Sequence, residues 1–548
     1  MSHARRFRVA AAGALAVLLL AGHPATAAAQ FPQWSTFPLP YVDARLVPPG
    51  QLQIGFLPSF AHYDMAYDSS GTIEPLGRYF SPDSASTQLF PTLTPAEAAV
   101  RDITGDNTYR MSMGKVSLPL DADVRRFPFD FSLGLTRRLT LRVSMPLVKT
   151  RVQGVLHVDS TGANVGWNLA AAAANNPQAA VQMQTLLTQL ESAIASLQSQ
   201  IAAGGYGCPS SAQCADLTAL ALRAQRLLDD LSALAGPAGG TLPLPFAAPL
   251  ASSPAGKAIQ QQLAAVADSL ALAGAGTVDS VFPLPTTALD SAGIETIVTA
   301  SEFGYGYPLA LATASRIYRL GDMEATLRIG LLQGEHLRTI LTAGVRLPTG
   351  TRAQSLYHAF TLGTGDRQLD VSGGLEFAWD PGRVGLSGSA IYTHQFSGQD
   401  SMRWAPATQP IAEAAFAYPT TFTLGDVFQA AVYPSLTLSP GIRVYGSAYY
   451  YHKGLDSYAL AAGASAAPGS PTPAQMASGS GGQALMLGGG IAYRAVTARH
   501  DSTTAPSLPV EAGLSYQTTF SGSDGLVPKS TMLSLYLRFY ARLWGKQR

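Results

Sequence analysis

Apolar and polar residues alternate one for one along the final segment, 531–544, which reads TMLSLYLRFYARLW. Leu533, Leu535, Leu537, Phe539, Ala541 and Leu543 fall on one face, and Ser534, Tyr536, Arg538, Tyr540 and Arg542 on the other. A period of two predicts a β-strand with unlike faces. The pattern recurs in 127–135, where Phe127, Phe129, Phe131, Leu133 and Leu135 oppose Asp130 and Ser132. It returns in 139–147, 323–331, 337–347, 370–379, 384–396, 427–438, 442–452, 484–496 and 506–520. A soluble sheet turns its apolar face to a core. A membrane barrel turns it to lipid and keeps the polar face for an enclosed lumen.

The connections give the strands a direction. Short links fall at 136–138, 334–336, 380–383 and 439–441, and long ones at about 69–109, 160–320, 349–366, 397–420 and 455–483. Short turns belong to the periplasmic end of a bacterial barrel and long loops to the extracellular end. Counting backward from the last strand, short and long links alternate if there are about 12 strands, an even number as expected of a single-chain barrel. The first strand then lies near 51–67. The second lies within 109–135, as one long strand or two pieces. The fold class is therefore all-β: an antiparallel transmembrane barrel.

Two loops differ from each other. The stretch 455–483 is rich in Ala, Gly, Ser and Pro and reads as flexible. The insertion at 160–320 instead spaces Leu187, Leu190, Ile194, Leu197 and Ile201 at helical intervals, with a second stripe through Leu217, Leu220, Ala224, Leu227, Leu231 and Leu234. A third, Ile259, Leu263, Val266 and Leu270, can pack on the pair. The prediction is an α-helical extracellular insertion: a lid, a contact surface, or a tolerated excursion of the chain. The domain plan is a signal peptide at 1–29, barrel at 30–159, insertion at 160–320 and barrel again at 321–548.

Export follows from the N-terminus. Arg5, Arg6 and Arg8 precede an apolar run at 9–22, and Ala27, Ala28 and Ala29 offer a cleavage site. That run is short of the roughly 20 residues a spanning helix needs. An exported chain that spans a membrane without such a helix does so as a closed barrel. The outer membrane of a Gram-negative-type bacterium, with its lipid as the first partner, is the expected location. Cys208 and Cys214 are the sole cysteines, and their closeness in an exported chain points to a loop-closing disulfide. A metal site would need companions, and no His pair accompanies them. Charged residues make up 13% of the chain and the net charge is +1, without the basic footprint of a nucleic-acid binder.

Four stretches in strand positions, FSLGLTRRLTLRVSMPLV, RLGDMEATLRIGLL, LTAGVRLPTG and RQLDVSGGLEFAWDPGRVGLSGSAIYTH, together resemble the phenol meta-pathway family of outer-membrane proteins. DARLVPPGQLQIGF near the N-terminus fits as well. The resemblance covers roughly 43–159 and 320–544 and leaves out the helical insertion. It implies kinship with the fatty-acid and toluene-type transporters, and passive uptake of small hydrophobic or aromatic compounds. The ending departs from the usual barrel, because Gly545 to Arg548 follow Trp544.

Catalytic signatures are missing: there is no H-E-x-x-H, no G-x-S-x-G and no phosphate-binding Gly-rich loop. His394 and Ser397 are close in sequence, a pairing that reads as coincidence beside the hydrolase alternative. No enzyme activity and no cofactor are expected. The chemistry lies on the polar strand faces. Arg142, Glu324, Arg328, Arg338, Arg346, Glu376, Arg443, Tyr445, Tyr449, Arg494, Glu511, Tyr536 and Arg538 are the candidate lumen residues, joined by Asp130, Asp370, Tyr451, Tyr540 and Arg542. They either fill the lumen with ion pairs or line a path whose excess of arginine draws anionic solutes. The tyrosines either meet a hydrophobic guest or form interfacial girdles. Pro146 and Pro434 are candidate kinks in the wall. The alternative to a channel is a surface protein whose barrel anchors a helical interaction module.

Overall fold

In lipid no backbone N–H or C=O can be left to water, so a sheet there has to close on itself. This chain does so. The computed structural model describes residues 43–171, 176–236, 245–300, 305–306, 317–351, 363–405, 411, 416–467, 470–495 and 510–544. The export signal and its boundary at Ala29 lie outside them. Twelve antiparallel strands form the barrel: β1 (Gln51–Phe56 and Ser59–Tyr63), β2 (Leu120–Thr136), β3 (Leu139–Gly154), β4 (Arg319–Leu320 and Met323–Gln333), β5 (Leu337–Leu347) and β6 (Asp370–Trp379), then β7 (Val384–Gln395), β8 (Val427–Ser439), β9 (Ile442–Lys453), β10 (Gly482–Arg494), β11 (Val510–Ser523) and β12 (Thr531–Arg542). Each pairs with the next, and β1 closes on β12 from Gln51↔Arg542 to His62↔Thr531. The ambiguous region before 135 resolves into one long strand, β2, paired with β3 from Leu120↔Gly154 to Thr136↔Leu139.

The faces sort as the alternation predicts. Phe129, Phe131, Leu141, Leu375, Ile491, Leu533 and Leu535 are exposed on the outside, whereas Asp130, Ser132, Thr140, Glu376, Tyr445 and Ser515 are buried inside. Trp379, Tyr493 and Trp544 ring the turn end and Phe396, Phe428 and Phe520 the loop end, the paired aromatic girdles of a membrane barrel. β3 and β8 run unbroken through Pro146 and Pro434, so the kinks expected there are absent. Pro146 is a register partner of Pro128, and its carbonyl accepts from Gly321. The breaks fall in β1, at Leu57 and Pro58, and in β4, at Gly321 and Asp322.

The long loops build a cap. Its helices are α1 (Thr94–Thr104), α2 (Pro177–Ala202), α3 (Ala212–Ala235), α4 (Pro254–Leu272) and α5 (Ser291–Thr299). α2 to α4 match the three predicted stripes. Asn176, Ser211 and Ser253 cap them, each accepting from a backbone N–H three residues on. α1 belongs to the β1–β2 loop, yet its Ala96, Val100 and Ile103 join Leu190, Leu231 and Leu263 in one core. Cys208 and Cys214 form a disulfide across the α2–α3 turn. The segment read as flexible carries two ordered pieces. Ser457–Leu460 extends a small sheet and Pro473–Ala477 forms a helical turn, because Tyr458 and Met476 are buried with Trp404 and Phe422. Arg403 donates to the Tyr305 carbonyl, linking this second cap to the first.

Leu535 sits mid-strand on the lipid face of β12, so Leu535→Arg should destabilise the barrel by about 2–4 kcal/mol, read by urea titration in lipid vesicles. Asp230 on α3 is half-buried, and burial, then Asp102 and Asp229, push its carboxyl up to about 6. The folded cap disfavours the ionised form, so this group costs stability increasingly as pH rises from the ordinary carboxylate range through 6. Asp230→Asn should therefore slow amide exchange in α1 and α3 at pH 7, with the gain gone near pH 4.

Candidate functional site

The lumen has two unlike walls. β2 to β6 carry charge. Arg142 on β3 reaches Asp130 on β2 at 2.5 Å, and Arg328 on β4 holds Glu376 on β6 through two nitrogens, at 2.5 and 3.3 Å. Toward the loop end, Arg346 on β5 pairs with Asp366 at 2.9 Å and also with Asp370, while Arg126 and Glu324 stand 3.8 Å apart. Toward the turn end, Arg443 reaches Asp380 at 2.7 Å and Arg338 lies 4.0 Å from it. Glu511 there takes Arg494 at 3.2 Å and Arg538 at 3.4 Å. Alternation makes this possible, because neighbouring strands in register bring their inward positions to one level. Planar guanidinium forks suit such shared carboxylates.

The opposite wall, β8 to β10 with β12, is aromatic. Tyr433, Tyr445, Tyr449, Tyr451 and Tyr536 are buried together with Ala431, Met486 and Ala492. Tyr433 and Tyr445 meet edge to face at 6.1 Å, and Gln429 donates to the Tyr449 hydroxyl at 2.5 Å. Two glycines let the rings lie down. A Cβ at Gly490 would come within 2.6 Å of the Tyr445 hydroxyl, and one at Gly513 within 2.3 Å of the Tyr536 ring. Both are the register partners of those tyrosines. The strand glycines thus mark close approach of a ring across the ladder. Tyr536 also receives Arg538 over its face at 4.9 Å, where the two walls meet.

All the candidate lumen residues fall on inward positions. Tyr433 completes the aromatic wall and was missed; its inward parity with Ala431 and Ser435 was legible beside Pro434. The arginine excess is corrected. Among the described residues, Asp43, Asp322, Asp366 and Asp380, none of them counted among the strand faces, bring the lumen's carboxylates level with its arginines. Arg542 stands exposed at the turn-end rim. His394 faces outward, where its Nδ1 lies 2.9 Å from Asp426, and Tyr392 donates to the same carboxylate. No bond joins His394 to Ser397 among the described residues.

Residues 43–50 lie inside the turn end, a placement that alternation could not signal. Arg338 donates to the Asp43 carbonyl at 3.2 Å and Arg328 to the Arg45 carbonyl at 3.0 Å. The Val47 N–H donates to Thr140 at 3.1 Å, and Ala44 is buried against Ile340 and Ala378. A cavity of about 700 Å³ is left between this segment and the barrel wall, bounded by Arg443, Glu511, Tyr536 and Tyr540. A second, of about 140 Å³, lies between Arg126, Glu324, Arg346 and Gln429. Arg142, Arg328 and Glu376 border both and stand between them.

No family model and no curated protein matches the chain, so the phenol meta-pathway resemblance stands on its strand motifs alone. Solved structures similar to it include an outer-membrane channel from Pseudomonas putida F1, at 9% identity over 92% of this chain and 100% of that one, with a TM-score of 0.40. A Pseudomonas aeruginosa FadL homologue is similar at 8% identity over 90% of each chain, TM-score 0.25. The Pseudomonas putida toluene transporter TodX is similar at 11% identity over 91% of this chain and 92% of that one, TM-score 0.25.

The start of the segment 43–50 is held by the arginine bonds to the Asp43 and Arg45 carbonyls, so Arg328→Ala with Arg338→Ala should loosen it. Single-channel conductance in a planar bilayer should then rise severalfold above the wild-type level. A cysteine pair tying residue 44 to residue 340 should bring it back down.

Proposed function

We propose that this protein is a passive outer-membrane channel for small hydrophobic or aromatic compounds, with a preference for uncharged ones. The observation that carries the proposal is the two-walled lumen. On one side the ion pairs satisfy one another, so the path offers an anion little net attraction, and a bare ion would have to leave water without compensation. On the other side the tyrosine rings give a planar solute edge and face contacts worth about 0.5–1.5 kcal/mol each. A ring-bearing neutral molecule therefore gains where an ion does not. The chamber of about 700 Å³ is in the size range of small-molecule sites. Passage between the two cavities, past Arg142, Arg328 and Glu376, is the slow step, and solute leaves at the turn end past residues 43–50. Movement follows the gradient.

One observation favours a second reading. The cap has an apolar core of its own and a disulfide-closed turn, as a surface module anchored by a closed barrel would. Flux separates the two. Cells carrying the gene should accumulate a labelled phenol faster than cells lacking it, with little difference for benzoate. Tyr536 and Tyr540 line the chamber, and Tyr536→Ala with Tyr540→Ala should cut the phenol rate by about three- to tenfold. Equal accumulation with and without the gene, with the barrel folded in the outer membrane, would favour the anchored module.

A further inference from the structure

The outer wall carries a pair of cations at the upper edge of its apolar belt. On β2 the outward residues from the turn end are Leu135, Leu133, Phe131, Phe129 and Phe127, and the next is Arg125. On β3 they run from Leu139 to Leu147, and the next is Lys149. Arg125 and Lys149 are direct register partners. Like charges facing each other across a ladder repel, and neither forms an ion pair among the described residues. One rung higher the charges are matched: Arg151 reaches Asp123 at 2.5 Å and Asp121 at 3.4 Å, and His62 lies 2.9 Å from Asp123. The uncompensated pair is thus confined to one level, where lipid headgroups begin. Tyr318 stands beside it, its ring 5.7 Å from the Lys149 ammonium and 5.1 Å, edge to face, from Phe127.

We infer that Arg125 and Lys149 bind the phosphate of a phosphorylated glycolipid in the outer leaflet, an inference that rests on the outer-membrane placement proposed above. A phosphate between the two cations would turn their repulsion into two charge-assisted hydrogen bonds. The acyl chains would lie on Phe127 and the belt below it. The polar rung of His62, Asp123 and Arg151 offers hydrogen-bond partners to sugar hydroxyls, which a plain phospholipid does not have. Basic clusters at a membrane surface attract anionic lipid in the same way.

The test uses the full chain, folded in detergent and checked by its heat-dependent mobility on a gel, with diphosphoryl lipid A as the probe. Arg125→Gln with Lys149→Gln should weaken binding by at least about tenfold, while Lys529→Gln, which removes a cation elsewhere at the loop end, should leave it unchanged. Lipid A stripped of its phosphates should bind the wild type and the double variant equally weakly. Wild-type affinity in the double variant, undiminished binding of the stripped lipid, or displacement by phosphatidylglycerol vesicles as effective as by lipid A would each overturn the inference. Binding is read without flux, so a failed uptake experiment would leave this result intact, and the reverse.

Discussion

Everything in this molecule depends on closing the β1–β12 ladder. A barrel has no free edge, and in lipid an edge would leave a row of backbone groups unpaired at several kcal/mol each. Closure at twelve strands fixes how much room remains inside, and that room is small. Side chains of opposite strands therefore come within reach of one another, and their chemistry has to be mutually compatible. The inward positions answer with arginine–carboxylate pairs on β2 to β6 and around the turn end, and with tyrosines laid over glycines on the side of β8 to β10 and β12.

The same closure explains the cap. The β1–β2 and β3–β4 loops leave from the same end and emerge close together although α1 and α2 are far apart in sequence. Each helix alone has one apolar stripe to bury. Together they share a core that includes Met183, Leu186, Phe246 and Phe282. The asymmetry of the two ends is thus a folding consequence: the tight turns after β2, β4, β6 and β8 lie on the side where residues 43–50 enter the lumen, and the folded cap lies on the other.

Much of the barrel was legible in the sequence, because a period of two and a lipid environment leave few alternatives. The strand count, the two faces and the three long helical stripes of the cap rest on strong periodic signals. What escaped was what lacks a period. α1 is only 11 residues and buries small residues, Ala96 and Ala99, beside Val100 and Ile103, although its Thr-Pro-x-Glu start was a usable sign. Asp322 and Asp366 lie in a strand break and a loop, so no alternation places them, and without them the lumen reads as too positive. The short 43–50 segment carries no strand pattern of its own. Its position is set by Arg328 and Arg338, which meet its carbonyls only once the barrel has closed.

The central claim is that the fixed charges of the lumen cancel, leaving a path suited to neutral solutes. The most direct measurement is the reversal potential of the purified barrel in a planar bilayer under a KCl gradient. The account predicts a small conductance with a reversal potential close to zero. A potential near the chloride equilibrium value would mean that the arginines act as a net positive path, and would contradict it.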